Sequence, residues 1–392
     1  GQVYFVRAKQ ARAAESKTKD KAKKKKLFDE TGDHLNKAAS YYFAVTSKYP
    51  DAPQAREAAS QFELVSALLK KVYGRTIKMG ETNRLEMLTK AGVNFFQEGN
   101  FGAAASKFAE AVEILGDDKE NEELPKSLYL ASMAYLQDGQ TGKAEAFVAR
   151  LVDDFADYPN TGKAALSMGA ILSKQAKGLT GDEKDALESK AQGFFRQFVK
   201  LSPSDPKAPQ IAYLVAEASY SNATSLRQQA KELSAKKASD DQIRPLLEKM
   251  QIAFKEAIPL YTEVLDHFDH TDYAVKSLQK LGWIYQTLGE LSRSGRYFEF
   301  YSERTTDPSE AMRHTYFAAS NYMRGDDPEK AIALLVKVLT ETDKDGKWAG
   351  LKEAAKTRQD AHALQPWAYD KQASLISNKI ATLREQLTDE AL

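Results

Sequence analysis

The stretch "LTKAGVNFFQEGNFGAAASKFAEAVEIL", Leu88 to Leu115, carries two helical half-patterns around a Gly-Asn pair. Leu88, Ala91, Gly92 and Phe95 fall at i, i+3, i+4 and i+7, which is one face of a helix. Gly99 and Asn100 break the pattern and predict a turn. Ala104, Phe108 and Ala111 then share a face of a second helix. Small residues let two backbones approach, and aromatic ones fill the space beside them. The stretch therefore predicts an antiparallel helical hairpin packed small against large.

The pattern recurs. Leu128, Ala131, Ser132 and Tyr135 precede Gly139, with Ala144, Val148 and Leu151 after it. Leu278, Leu281, Gly282 and Tyr285 precede Gly289, followed by Ser294, Phe298 and Tyr301. Thr315, Ala318, Ala319 and Tyr322 precede Gly325, followed by Ala331, Leu335 and Val338. The anchors Ala104 and Ala144 lie 40 residues apart, and Ser294 and Ala331 lie 37 apart. Such periods predict stacked helical hairpins.

This order of large, small and aromatic positions resembles the tetratricopeptide repeat. Weaker copies fit Ala38–Tyr42–Val45–Pro50, Ala191–Phe195–Phe198–Pro203 and Ala257–Tyr261–Val264, mainly as second helices. The resemblance implies an all-α, right-handed α-solenoid of about seven hairpins over residues 31–345. Residues 208–268 are expected to form an enlarged hairpin whose polar tract "RQQAKELSAKKASDDQ" projects from the stack. The segment 54–72 reads as an amphipathic helix between two repeats, and "KGLTGDEK" (177–184) as a lengthened turn. The region 346–392 is expected to hold a capping helix from Pro366 to Leu387, with Pro366 in its first turn. The junctions "SKYPDAPQAREAA", "DDFADYPNTGKAALSMG" and "KLSPSDPKAPQIAYLVA" resemble those of bacterial cell-envelope tetratricopeptide proteins. That likeness implies a periplasmic or membrane-associated envelope location, with the cytoplasm as the alternative.

Composition narrows the functional classes. The 392 residues have a net charge of +1, so the whole chain is not an electrostatic nucleic-acid binder. Residues 1–30, read as a basic lead segment that is helical or flexible, carry a net +6; the rest carries −5. Within the lead segment, "KDKAKKKK" (19–26) offers contact with an anionic membrane surface or is a solvated lead, and it lacks the interleaved aromatics that stack on nucleic acid. "VYFV" (3–6) reads as the possible end of a membrane anchor. There are no cysteines, which excludes disulfides, thiolate metal sites and a cysteine nucleophile.

No Gly-rich phosphate loop and no nucleophile elbow occur. His267 and His270 in "DHFDH" could hold a metal on one helix face, but the stretch reads better as a solvated helix end. The expectation is a non-enzymatic scaffold with no cofactor and no metal. The alternatives are an accessory subunit or domain of a larger enzyme or membrane assembly, and a self-assembling solenoid.

In tetratricopeptide arrays the first helix of each hairpin lines an inner groove. That resemblance implies a partner-binding set of Phe96, Lys126, Tyr129, Met133, Gln279, Trp283, Gln286, Arg313, Tyr316 and Arg324, a groove for a protein or peptide. Thr89, Val93, Leu136, Ser320 and Met323 fall on the same mapped face. Repeats that clamp a terminal carboxylate need lysine and asparagine at two of these positions. Thr89/Val93, Tyr129/Met133, Gln279/Trp283 and Tyr316/Ser320 stand there instead. A carboxylate clamp is therefore not expected.

Overall fold

The computed structural model describes residues 1–49, 52–74 and 81–389. Regular structure among the described residues is all α-helical, in two compact units, residues 1–201 and 202–392. The first unit holds α1 (Gln2–Lys17), α2 (Lys21–Lys48), α3 (Ala55–Tyr73), α4 (Glu81–Gln97), α5 (Phe101–Leu115), α6 (Glu123–Gln137), α7 (Thr141–Asp154), α8 (Thr161–Ala176) and α9 (Asp182–Leu201). The second holds α10 (Ala208–Ala235), α11 (Asp240–Phe268), α12 (Asp272–Thr287), α13 (Leu291–Arg304), α14 (Pro308–Arg324), α15 (Pro328–Glu341) and α16 (Ala354–Asp389).

Consecutive helices pair as hairpins, and first helices also touch first helices: α6 touches α8, α10 touches α12, and α14 touches α16. The same relation joins α2 to α4. That contact assigns α2 the role of a first helix, with α3 as its second. Seven hairpins result: α2/α3, α4/α5, α6/α7 and α8/α9 in the first unit, and α10/α11, α12/α13 and α14/α15 in the second. Ala38 and Tyr42, expected on a second helix, sit on this first helix, where Leu35, Ala38, Ala39 and Tyr42 are buried against Ala58, Phe62 and Val65. Pro50, the proline that fits the repeat ending there, lies outside the described residues.

The expected boundary between residues 30 and 31 falls inside α2, which begins within the lysine run and is capped by the Asp20 side chain. Ahead of it, α1 packs on α2 through Phe5 and Ala8, and Tyr4 stacks on Tyr41 with ring centroids 5.4 Å apart. The lead segment is therefore helical and partly folded onto the first hairpin. No helix among the described residues is long and apolar enough to cross a membrane.

Each hairpin crosses at a small residue. A methyl group added at Gly92 would meet the Phe108 ring at 2.6 Å, at Gly169 the Phe195 ring at 2.7 Å, and at Gly282 the Phe298 ring at 2.5 Å. Three hairpins thus use one device: an aromatic ring of the second helix packs against bare backbone of the first. Ser132 and Ala319 carry a Cβ at the equivalent position, and the second helix there offers Val148 and Leu335 instead of a ring. Seven residues after the crossing, Gly99, Gly139 and Gly289 adopt φ of 77°, 77° and 81°. This left-handed residue lets the next amide reach back to the helix: Asn100, Gln140 and Glu290 donate to the carbonyls of Phe95, Tyr135 and Tyr285, each at 2.9 Å.

The α14/α15 hairpin turns differently from the reading of Gly325 as its turn glycine. Gly325 has an ordinary φ of −93°, and Asp326 takes the left-handed position at 65°. The same closing bond forms there, from the Asp327 amide to the Tyr322 carbonyl at 2.9 Å. Gly325 is needed for close approach: a Cβ there would meet the Ser292 amide nitrogen at 2.6 Å.

The enlarged hairpin α10/α11 has an exposed tip between Arg227 and Lys249, in which Ala230 alone is buried. The last apolar surface of α14/α15 is covered by α16, through Ala354, Ala361 and Ala368. The cap starts a full twelve residues before Pro366, which lies inside the helix and not in its first turn.

Candidate functional site

Four of the sequence-mapped residues lie in the first unit. Phe96 is half-buried, with its ring edge-on to Phe101 at 5.1 Å. Tyr129 and Met133 on α6 are half-buried against the same core, and Tyr129 faces Tyr158 at 6.4 Å. Burial, and then the neighbouring Tyr158, raise the Tyr129 phenol above its usual value. Lys126 is exposed and paired with Glu123 one turn away at 3.1 Å. Leu136, mapped to this face, is buried in the core instead, 6 % exposed. It lies at the end of α6, where it joins the core cluster around Phe108.

Six lie in the second unit, and they are less free than the mapping implies. Trp283 stands among rings: Phe298 at 4.8 Å, Phe317 at 5.5 Å and His314 at 6.2 Å. Gln279 donates to Glu310 at 3.3 Å and meets the His314 ring nitrogen Nε2 at 3.3 Å. Gln286 accepts from Asn321 at 3.3 Å. Arg313 is paired with Glu310. Tyr316 is half-buried beside Phe317, and its phenol is raised by burial and then by Asp360. Arg324 is exposed at the end of α14.

Two polar arrangements hold this face in place. The Ser294 hydroxyl, fully buried where repeats usually have alanine, donates to the Gly282 carbonyl at 2.8 Å and accepts from Asn321 at 3.0 Å. The serine thus ties α12, α13 and α14 together. His314, 1 % exposed, holds a second junction. Its Nδ1 lies 2.9 Å from the Glu310 carbonyl oxygen, so this nitrogen carries the proton and Nε2 accepts from Gln279. Desolvation, and then the Arg313 charge, lower its pKa to about 4. The Glu310 carboxylate, 3.4 Å from Nδ1, opposes that shift but is itself engaged by Arg313 and Gln279.

Sequence mapping missed a further cluster, on α10, α11 and α12. Ala212, Val215 and Ala216 on α10 repeat the spacing of Leu278, Leu281 and Gly282, so Tyr213, Glu217 and Tyr220 match Gln279, Trp283 and Gln286. Glu217 accepts from the Tyr261 hydroxyl and pairs with Lys280 of α12 at 2.9 Å. The Lys280 ammonium also lies 4.2 Å from the centre of the Tyr220 ring. Burial first, then the Glu217 carboxylate, raise the phenols of Tyr213, Tyr220 and Tyr261. They remain protonated donors beside one carboxylate. Neighbouring first helices α10 and α12 are therefore joined by a half-buried aromatic and ionic seam. The spacing in α10 was the available signal, but the matching second-helix positions, from Ala257 on, come only after the long polar tip.

His267 and His270 are exposed at the end of α11 and just past it, with His270 3.6 Å from Asp269. No group of three or more metal-ligating side chains occurs among the described residues.

No protein family matches the chain, and no curated protein matches it. Among solved structures it is similar to PilF of Pseudomonas aeruginosa, at 9% identity over 73% of this chain and 99% of that one, with a TM-score of 0.26. A tetratricopeptide repeat protein from Parabacteroides merdae matches at 11% identity over 73% and 99%, with a TM-score of 0.27. The TPR2AB domain of yeast Sti1, solved in complex with pHSP90, matches at 15% identity over 72% and 99%, with a TM-score of 0.26. On the geometry of its own hairpins, with small residues at the crossings and left-handed closures seven residues on, the chain is an all-α protein of repeated helical hairpins.

Proposed function

We propose that the protein is a non-enzymatic scaffold whose first-helix faces bind a protein or peptide partner. The observation that carries this is the run of half-buried aromatic and charged side chains on adjacent first helices of the second unit. Tyr213, Tyr220, Lys280 and Tyr316 each keep part of their surface open on a rigid helical support. Tyrosine and arginine on such supports anchor interfaces because they bring large area at low entropic cost. The mixed charge of Glu217, Lys280, Arg313 and Arg324 suits a polypeptide with both apolar and charged side chains, and no single-sign track fits a nucleic-acid backbone.

The test is a pull-down from native extract with the wild-type chain beside an Arg313→Glu/Tyr316→Ala variant. Trp283 is avoided because its ring is part of the packing. A partner retained by the wild type and lost by the variant supports the face. Equal retention moves the site elsewhere. We place the scaffold in a bacterial envelope complex on the strength of its junction sequences, and fractionation with an antibody to the chain tests that placement. Membrane proximity is a second reading. Lys21 and Lys23–Lys26 are all exposed along the start of α2, and each basic residue near an anionic surface adds about 1 kcal/mol. Co-sedimentation with anionic but not neutral vesicles, lost on replacing the run by glutamine, is the expected result.

A further inference from the structure

The cap does more than cover the array. At 1.5 Å per residue, the 36 residues of α16 extend about 54 Å. The covering stripe ends near Lys371, which reaches back to the Met323 carbonyl at 2.9 Å and to Asp326. From Ala373 to Arg384 every residue is exposed. This overhang is not polar all round. Ile376, Ile380 and Leu383 are 53%, 45% and 50% exposed, and Tyr369 and Ala373 precede them on the same line. The spacing 369, 373, 376, 380, 383 alternates four and three. That is the narrow seam of a two-helix coiled coil, wanted by a partner helix and not by the array below it.

We propose that residues 369–384 of α16 pair antiparallel with the same segment of a second copy of this chain. The seam reads the same in reverse. Inverted about residue 378, Ile376 falls opposite Ile380 of the second copy, and Ala373 opposite its Leu383, small against large. The flanks agree. Beside the seam the flanking positions meet like with like, in rows centred on residues 377 and 379, so Asp370 meets Arg384 of the second copy, twice by symmetry, and Gln372 meets Gln386. A parallel pair would instead set Lys379 against Arg384 of the second copy, twice. It would also bring both folded bodies to one end, whereas the antiparallel pair separates the two exits, residue 372 on each copy, by about 18 Å along the axis. This surface is independent of the first-helix faces and stands whether or not they bind a partner.

The test is sedimentation velocity of the full chain over a concentration series. The wild type is expected to pass from monomer to dimer as concentration rises. Ile376→Asp/Ile380→Asp is expected to stay monomeric, with unchanged helix content and melting temperature because neither side chain supports the fold. Arg384→Asp is expected to weaken the dimer about tenfold, an effect that fades with salt. The chain has no cysteine, so Ser377→Cys gives a single thiol at the centre of the pair, and a short bismaleimide should link two copies. A chain monomeric throughout, a dimer that survives the two aspartates, or a dimer tightened by Arg384→Asp would each overturn the proposal.

Discussion

Gly282 and His314 show how single residues set the packing. At Gly282 a methyl group has no room, because the Phe298 ring is fully buried and cannot swing aside. Gly282→Ala is expected to lower stability by about 1–3 kcal/mol in chemical denaturation. Gly142 in the first turn of α7 has open space around it, so Gly142→Ala should be neutral or gain up to about 1 kcal/mol. His314 makes a pH prediction. The unfolded histidine binds a proton near pH 6.5, and the folded one near 4. Between those values the unfolded state takes up a proton that the native state does not. Stability therefore falls as pH drops from 6.5 to 4, by on the order of 3 kcal/mol, and is fully present above 6.5. The groups facing the ring are Glu310, Arg313 and Phe317 on its own helix, Gln279 and Trp283 on α12, and Phe298 and Tyr301 on α13. Urea titrations across that range, with His314→Phe beside the wild type, should show the pH slope flattened in the variant.

Among the elements, α16 divides into two parts with different duties. Residues 354–371 bury alanines against α14 and α15 together with Leu364 and the neighbouring Trp348. Residues 373–384 are all exposed. A chain ending at residue 372 should melt at the wild-type temperature. One ending at residue 353 should lose several kcal/mol and bind a hydrophobic dye, because an uncovered repeat end leaves its apolar face in water. The α10/α11 hairpin follows the same logic. Its seam of Tyr213, Tyr220, Tyr261, Glu217 and Lys280 lies near the base, while its tip is solvated, so the tip is where shortening should be tolerated.

For the molecule as a whole, repeat architecture makes stability a sum of local terms. The core around Phe108 in the first unit and the core around Phe298 in the second share no residue. The effects of Gly92→Ala and Gly282→Ala should therefore add within about 0.5 kcal/mol in the double variant. The hairpins were legible in the sequence because helix crossing needs a small residue opposite a large one, and that demand repeats every 37 or 40 residues. Gly92 with Phe108 and the turns at Gly99, Gly139 and Gly289 could be read this way, whereas the cap, expected from Pro366, begins at Ala354. Other features depend on which surfaces meet in three dimensions. The role of α2 as a first helix shows only in its contact with α4, since its own pattern fits either place. The left-handed turn at Asp326 follows from the close approach of Gly325 to Ser292, a contact 33 residues apart. Of the mapped face, Trp283 is drawn into packing and Leu136 into the core, while Glu217 and Lys280 meet across 63 residues. Local spacing determined which residues turn inward within a helix. Only the stacking of one hairpin on the next decided which of them remain open to a partner, because that depends on neighbours far along the chain.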